Sequence, residues 1–532
     1  MKNFRKKSLL AAGTQLSVLT LISRILGVVR ESTKADFLGT SALADAFGIA
    51  FTIPNLFRRL FAENSVSVAF IPTFKEYLDS SETKEGRKTT QDFICASMTL
   101  VSFLTAAVVV IGIILSPFIV RFFSDAEENI ILETTLLTRI MFPYLFVISV
   151  AAFFQGILNG LKIFAPSGFT PILFNICVIG STYLLSPYTA NPARAMAIGV
   201  IAGGIVQAAF QLPFVLKTQW RIGFSSIKKA FTNPGTRKVM ALIGPTIIGM
   251  AAYQLNDAVS VALAGNAGTG VVSSLQYSLR LQELILGIFA VSIGTVILPD
   301  LTGFAKKQDW QGFNKMLTQA VRIIALITIP ITFYAFVTGE HIISLVYKSN
   351  NFTDESVRLT MEAFKFHIIG LFFIAVNRII SPAFYAQGNT KSPTLAGIIG
   401  FGINIILALA LVNPMKGGGI ALALTIASGA NTILLFIFLA KTGTVSVSKV
   451  VKNMLLYALK MLVLSIIALI PVILLKDKIF ALFSGMHRFI AEGVPLVIGA
   501  LLFAIVGIVL LIITKDPLVG LIIDKIKKRK NT

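Results

Sequence analysis

Charge is what this chain has least of. Only 14% of its 532 residues are charged, 55% are hydrophobic, and the mean hydropathy is +0.81. A water-soluble chain of this length would form roughly three or four domains, each needing a charged surface, so that class is excluded. Cysteine is nearly missing too. Cys95 and Cys177 both sit in apolar stretches, which leaves no disulfide framework and no metal-type spacing. The three histidines, His341, His367 and His487, are scattered. There is no GxxxxGK phosphate loop, no HExxH and no GxSxG, so the residues for ATP hydrolysis, zinc proteolysis and serine hydrolysis are lacking. Strand signals are also absent: apolar and polar residues do not alternate, and the apolar runs far exceed strand length.

Long apolar runs fill the chain instead. They suffice for roughly 14 crossings of about 20 residues each, and helices are the spanning element that satisfies every backbone group internally. The fold class is therefore an all-α polytopic membrane protein of about 14 transmembrane helices. Spans are expected over 8–30, 41–62, 91–119, 134–159, 165–186, 195–216, 237–264, 271–299, 316–339, 359–387, 393–413, 417–440, 451–475 and 489–514. The opening MKNFRKK and the apolar run behind it resemble a secretory signal, but no small-residue cleavage site follows, so the segment reads as an uncleaved first span.

The net charge of +22 would suit a nucleic-acid binder if its cations formed one continuous patch. They sort by membrane side instead. The N-terminal Lys2, Arg5, Lys6 and Lys7, the 58–90 segment, the 217–238 loop, Lys306, Lys307, Lys315, Lys441, Lys449, Lys452 and the tail through Lys530 fall on one side. The other side holds few, among them Lys34, Arg121, Arg194, Lys348, Arg358 and Lys416. Cytoplasmic loops carry the excess of Lys and Arg, so both termini are expected in the cytoplasm and no nucleic-acid partner is needed. The remaining cations, Arg24, Arg30, Arg139, Arg280, Arg322, Lys365, Arg378 and Lys460, lie within or at the ends of expected spans.

The chain also repeats itself. SVSVAFIP (Ser65 to Pro72) aligns without gaps with SIGTVILP (Ser292 to Pro299), an offset of 227. NGLKIFAP from Asn159 resembles QGNTKSP from Gln387 at nearly the same spacing, and Asn175-Ile176 and Asn404-Ile405 follow in turn. About six spans per unit put both repeats in the same orientation, related by a pseudo-two-fold axis along the membrane normal. The expected organisation is an N-terminal lobe (1–229), a C-terminal lobe (230–445), and two further helices with a basic tail (446–532), with a cavity between the lobes.

Arginines at membrane depth call for a reason. Each costs roughly 2.5–3.5 kcal/mol at the helix centre, so Arg24, Arg30 and Arg280 facing lipid would cost about 8–10 kcal/mol together. They are expected to line water or meet anions. A guanidinium stays charged and grips phosphate bidentately, which points to a phosphorylated substrate. The plainer alternative is snorkelling or neutralisation by a nearby carboxylate: Arg59 and Glu63, and Asn55 and Arg59, stand four apart and could be local helix contacts. Arg139, Arg322, Lys365, Arg378 and Lys460 read as interfacial or structural.

One stretch carries a resemblance. ISRILGVVRESTKADFLGTSALADAFGIAFTIPNLFRRLFAENSVSVAFIP (Ile22 to Pro72), with its SRxLGxxR, ADAF, PNLxRRLFAE and AFxP elements, resembles the MurJ (MviN) lipid II flippases of the MOP exporter superfamily. MFPYLF (Met141 to Phe146), YSLRLQEL (Tyr277 to Leu284) and GTVILP (Gly294 to Pro299) extend the likeness over essentially the whole chain. The resemblance implies two six-helix lobes plus two C-terminal helices in a bacterial cytoplasmic membrane, moving undecaprenyl-diphosphate-linked peptidoglycan precursor from the inner to the outer leaflet. It carries the family's arginines onto Arg24, Arg30, Arg58 and Arg280, and its acidic positions onto Asp45 and Glu63. Two positions depart: Leu279 stands where many relatives have Asp, and Glu31 where Asp is common. Glu283, one turn from Arg280, is the expected counter-charge.

The expected mechanism is alternating access, with Arg24, Arg30, Arg58 and Arg280 on the diphosphate and the polyprenyl tail in lipid along the helices after residue 450. No cofactor is expected. The drive is either the membrane potential, at about 2.3 kcal/mol per charge per 100 mV, or a monovalent cation on the oxygens of Asp257, Asn404 and Thr425. Two rivals are weighed. Another superfamily branch, an oligosaccharide-lipid flippase or a cation/drug antiporter, would show more acidic and aromatic cavity residues in the antiporter case. A membrane glycosyltransferase or polymerase would need an outer carboxylate, for which Glu340, Asp354 and Glu355 are weak candidates.

Overall fold

A computed structural model describes residues 9–63 and 69–518. Part of the first repeat motif (65–68), the N-terminal cations (2–7) and the tail cations (525–530) lie outside the described residues, as does the side chain of Glu63. All regular structure among the described residues is helical. In chain order the helices are α1 (Leu9–Leu38), α2 (Ala42–Phe57) with a π-helical continuation (Arg58–Glu63), α3 (Ile71–Asp79), α4 (Lys84–Phe123), α5 (Glu128–Met141), α6 (Pro143–Gly160), α7 (Ala165–Leu185) and α8 (Pro192–Leu216). Then follow α9 (Ile227–Thr232), α10 (Pro234–Gly265), α11 (Val271–Lys306), α12 (Trp310–Tyr347), α13 (Asp354–Tyr385), α14 (Lys391–Ala440), α15 (Val447–Leu482), α16 (Arg488–Ala491) and α17 (Gly493–Ile513).

Local chemistry sets where these helices begin. Side-chain oxygens of Ser41, Thr83, Asn191, Asn233 and Asp309 accept backbone N–H groups at the starts of α2, α4, α8, α10 and α12. Pro143, Pro166, Pro192 and Pro234 occupy first-turn positions, where the missing N–H costs nothing. α1 stops where Gly39 turns to a φ of 57°, its N–H still held by the Ala35 carbonyl at 2.9 Å. α11 has an unusual start: both carboxylate oxygens of Asp45, on α2, accept from the backbone of Gly270 (2.6 Å) and Ser273 (2.8 Å). Gly270 holds φ 84°, open chiefly to glycine.

Inside the helices, hydroxyls find partners one turn back. Thr33, Thr52, Thr105, Thr138, Ser149 and Thr328 each donate to the carbonyl four residues earlier at 2.7–3.0 Å. No hydroxyl in this set is left bare in an apolar medium.

Among the described residues nine helical stretches are long and apolar enough to cross a membrane, from Lys84–Phe123 to Arg488–Ile513. The other expected spans overlie α1, α2, α10 and α11, the helices that carry the charged candidates. Three features of these spans have local causes. The expected 134–159 span lies in one apolar stretch, Glu128–Gly160, in which α5 passes to α6 at the helical Phe142 because Pro143 has no N–H to give. The expected 393–413 and 417–440 spans share α14, interrupted only at Lys416, whose φ 45° and ψ −125° are non-helical beside Pro414 and three glycines. Lys34, expected in an outer loop, is a correction: α1 runs on to Leu38, and Lys34 is 3% exposed within it.

The helices form two compact units, Met1–Gln276 and Tyr277–Thr532, divided within α11. In the first, Phe47, Leu137, Met141, Tyr144 and Met196 build one core from α2, α5, α6 and α8. Phe70, Phe74, Phe93 and Phe153 stack into another beside Trp220. Arg194 grips Glu133 through two nitrogens at 2.6 and 2.8 Å, tying α8 to α5. In the second unit α13 packs along α14, and α12 packs on α13 and α15. α4, α15 and α17 turn large apolar side chains outward, among them Phe118, Leu474 and Ile505. Apolar surface on this scale marks contact with lipid.

Because two charge-assisted bonds hold the start of α11, Asp45→Ala should lose about 2–3 kcal/mol. The expected result is a lower thermal-unfolding midpoint for the detergent-solubilised protein, with Asp45→Asn falling between. An unchanged midpoint in the Ala variant would rule the cap out as a stabilising contact.

Candidate substrate site

Arg24, Arg30, Glu31 and Lys34 are spaced along successive turns of α1. Arg30 and Lys34 stand four apart, a spacing at which like charges repel, and the fold separates their partners. Arg30 Nη2 donates to Glu31 Oε1 at 2.7 Å, with both side chains only 12% exposed. Its guanidinium also lies 5.7 Å from the ring centres of both Phe51 and Phe174. Cation–π attraction from two faces and one carboxylate thus replace water around it. Lys34 Nζ donates to Gln276 Oε1 at 2.8 Å and lies 5.8 Å from the Phe47 ring. The small cavity bounded by Arg30, Glu31, Lys34, Phe51 and Gln276 is about 20 Å³, room for a water molecule. Beside Arg24, the backbone carbonyl of Ser23 accepts from Asn175 Nδ2 at 3.2 Å, which binds α7 to α1 at this level.

The second cluster surrounds the end of α2. After Pro54 the helix widens into the π-helical turn Arg58–Glu63, a conformation frequent at functional sites. Arg58 Nε donates to Asn55 Oδ1 at 2.9 Å. Arg59 Nη1 reaches across to α10, donating to Gln254 Oε1 and Asp257 Oδ2, each at 3.3 Å. Asn55 thus holds Arg58, while Arg59 reaches the α10 partners. Its expected partner Glu63 has a side chain outside the described residues.

In the second unit Arg280 Nη1 donates to Glu283 Oε2 at 3.0 Å, the pairing read from their one-turn spacing. On the same helix Ser278 Oγ meets His367 Nδ1 at 2.6 Å, and Gln282 bonds the His367 carbonyl, so α11 is clamped to α13 on either side of Arg280. Asp45, expected among the binding groups, is buried with its carboxylate on the start of α11.

The candidate cation ligands are divided. Asp257 belongs to the first unit and is held by Arg59, whereas Asn404 and Thr425 belong to the second. There the Thr425 hydroxyl donates to the Phe366 carbonyl at 2.7 Å. No group of three or more His, Cys, Asp or Glu side chains suited to a metal occurs among the described residues. Of the five cations read as interfacial or structural, two have structural partners: Arg139 Nε bonds Ser116 Oγ at 3.0 Å, and Lys460 Nζ the buried Asp516 at 2.6 Å.

Three groups escaped the sequence reading: Lys34, Gln254 and Gln276. Lys34 could have been found from its four-residue spacing to Arg30, had α1 been extended past its apolar run. The glutamines carry no local signal, being polar residues within apolar helices whose partners lie about 200 positions away or more.

The arrangement offers guanidinium groups on α1, on the end of α2 and on α11, and Arg30, Arg59 and Arg280 each have a carboxylate in contact. That is chemistry suited to an anion with several oxygens. Comparison with known proteins gives the family. The family model described as Lipid II flippase MurJ matches residues 34–490. A protein of Treponema pallidum named probable lipid II flippase MurJ is 47% identical over 513 residues, 96% of this chain and 97% of its own length. The lipid II flippase MurJ of Burkholderia cenocepacia is 31% identical over 438 residues, 80% of this chain and 83% of that protein. A solved structure of lipid II flippase MurJ in an inward closed conformation superposes with a TM-score of 0.76 at 26% identity, covering 93% of this chain and 98% of that one. An inward-facing multidrug transporter of the MATE family, in the MOP superfamily, shares the fold at TM-score 0.67 and 14% identity, over 82% of this chain and 99% of its own. The chain belongs to the MurJ lipid II flippase family.

Proposed function

We infer that the protein is a lipid II flippase of the bacterial cytoplasmic membrane, a transporter and not an enzyme. It moves the undecaprenyl-diphosphate-linked peptidoglycan precursor from the inner to the outer leaflet. The observation that carries this reading is Arg30: a guanidinium largely buried on a membrane helix, enclosed by Glu31 and two phenyl rings. Such a group is costly unless anions are its business.

Arg24, Arg30, Arg58 and Arg280 supply the guanidinium forks for the diphosphate, and Arg59, Asn55, Glu63 and Glu283 set their charge balance and position, while Asp45 acts through the start of α11. Glu31 pairs with Arg30 and Glu283 with Arg280, so neither guanidinium stands as a bare charge in a low dielectric. An arriving diphosphate competes with these carboxylates for the same N–H donors and offers more oxygens in a better fork geometry. The chain crosses the membrane fourteen times, with both termini cytoplasmic and two six-helix lobes preceding the last two helices. Alternating access opens the site first to one leaflet and then to the other.

A membrane potential negative inside drives an anionic headgroup outward, by about 2.3 kcal/mol per charge per 100 mV. A monovalent cation acting through Asp257, Asn404 and Thr425 would first have to displace Arg59 from Asp257, which favours the potential as the drive.

Two outcomes test this. Depleting the protein from a host with no second flippase should leave lipid II inaccessible at the outer leaflet; normal outer-leaflet lipid II in such cells would overturn the function. Alanine at Arg24, Arg30 or Arg280 should abolish complementation of that strain at normal membrane levels of protein. Lysine at the same positions should also be impaired, because a point charge cannot supply the planar fork; any residue whose Ala variant complements fully leaves the site.

A further inference from the structure

A second, separate pocket opens in the Tyr277–Thr532 unit, where α12 and α15 begin. It has a volume of about 590 Å³, within the range of small-ligand sites. Lys315 and Arg322 of α12 and Lys449 of α15 line it, and none of the lining residues is acidic. Among the described residues no carboxylate forms an ion pair with any of the three, in contrast to Arg30, Arg59 and Arg280.

The pocket is built. Asn314 staples its two walls together: Oδ1 accepts from the backbone of Ser446 at 2.9 Å, and Nδ2 donates to the Thr444 carbonyl at 3.4 Å. Arg322 is held at the inner end, with Nη2 on Asn453 Oδ1 at 3.2 Å and the guanidinium 5.9 Å from the Tyr457 ring. Its Nε is buried and lacks an acceptor, a vacancy that nearly all buried donors in native proteins avoid. α15 begins at this wall of the pocket, its first N–H groups held by Asn314, Val445 and Ser446 oxygens.

We propose that this pocket binds a phosphate group, carried by a lipid headgroup or by a soluble polyphosphate. Three cations with no ion-pair partner among the described residues, together with neutral amide donors and no acidic residue in the lining, describe a site for an oxyanion with several oxygens. The pocket shares its membrane side with Lys306, Lys307, Lys441 and Lys452, the side that the Lys/Arg asymmetry assigns to the cytoplasm. Anionic headgroups and soluble phosphates are both within reach there.

The chain carries its own reporter, because Trp310 lines the pocket while Trp220 is buried in the first unit and gives a constant background. Tryptophan fluorescence of the full-length protein in detergent would be titrated with dioctanoyl phosphatidylglycerol, with pyrophosphate, and with dioctanoylglycerol, which has the chains but no phosphate. The expected result is a saturable change with a phosphate-bearing probe and none with dioctanoylglycerol. Binding should weaken about tenfold in Arg322→Gln and in the Lys315→Gln/Lys449→Gln double variant. Saturation by phosphatidylglycerol alone assigns a lipid headgroup, and saturation by pyrophosphate at equal concentration assigns a soluble ligand; either supports the site. An equal response to dioctanoylglycerol, or no saturation with either phosphate probe, overturns it. Arg322→Gln also removes the contacts to Asn453 and Tyr457, so the double lysine variant decides: wild-type affinity at an unchanged unfolding midpoint also overturns the proposal.

Discussion

A guanidinium on a membrane-spanning helix is tolerable only while a counter-charge travels with it, and much of the structure answers that demand. Glu31 sits on Arg30, Glu283 on Arg280, and Asp257 on Arg59. Two of these partners come from the same helix as their arginine, so they are in place as soon as the helix forms. The third is supplied by α10 and requires the unit to assemble. Aromatic rings do the rest of the work around Arg30, where Phe51 and Phe174 take the place of solvent. Binding an anion then becomes an exchange of one counter-charge for another, which is far cheaper than creating a charge in the bilayer.

Much of the fold was legible because membrane helices advertise themselves by length and hydropathy, signals that need no knowledge of distant residues. The limits of that legibility fall where backbone geometry, and not composition, decides. Lys416 breaks α14 at a single residue, and hydropathy reads the two halves as separate spans without showing how short the break is. The π-helical turn at Arg58–Glu63 has no compositional mark. Lys34 lies beyond the apolar run that ends near residue 30, yet α1 continues for about two more turns with that lysine buried against Gln276.

The candidate site divides along the same line. The Arg280–Glu283 contact follows from one-turn spacing and was readable as such. Arg59 on Asp257 was not, because the two stand 198 positions apart and Arg59 has a plausible local partner in Glu63. Asp45 shows a subtler difficulty. A buried carboxylate on a helix beside several arginines invites an electrostatic role, whereas its oxygens are spent on the backbone of Gly270 and Ser273. Motif and charge alone do not distinguish a carboxylate that balances a cation from one that terminates a helix.

The hydroxyls that bond one turn back along their own helices carry a consequence for how such a protein can change. A threonine or serine so satisfied asks nothing of its neighbours, so it can appear on a lipid-facing or a packed surface with little penalty. When packing around it loosens, the same oxygen can turn from its carbonyl toward water or a sugar hydroxyl. The membrane helices thus hold a stock of latent polarity, and a cavity can gain new hydrogen-bonding groups over evolutionary time without the chain ever passing through a sequence too polar to insert.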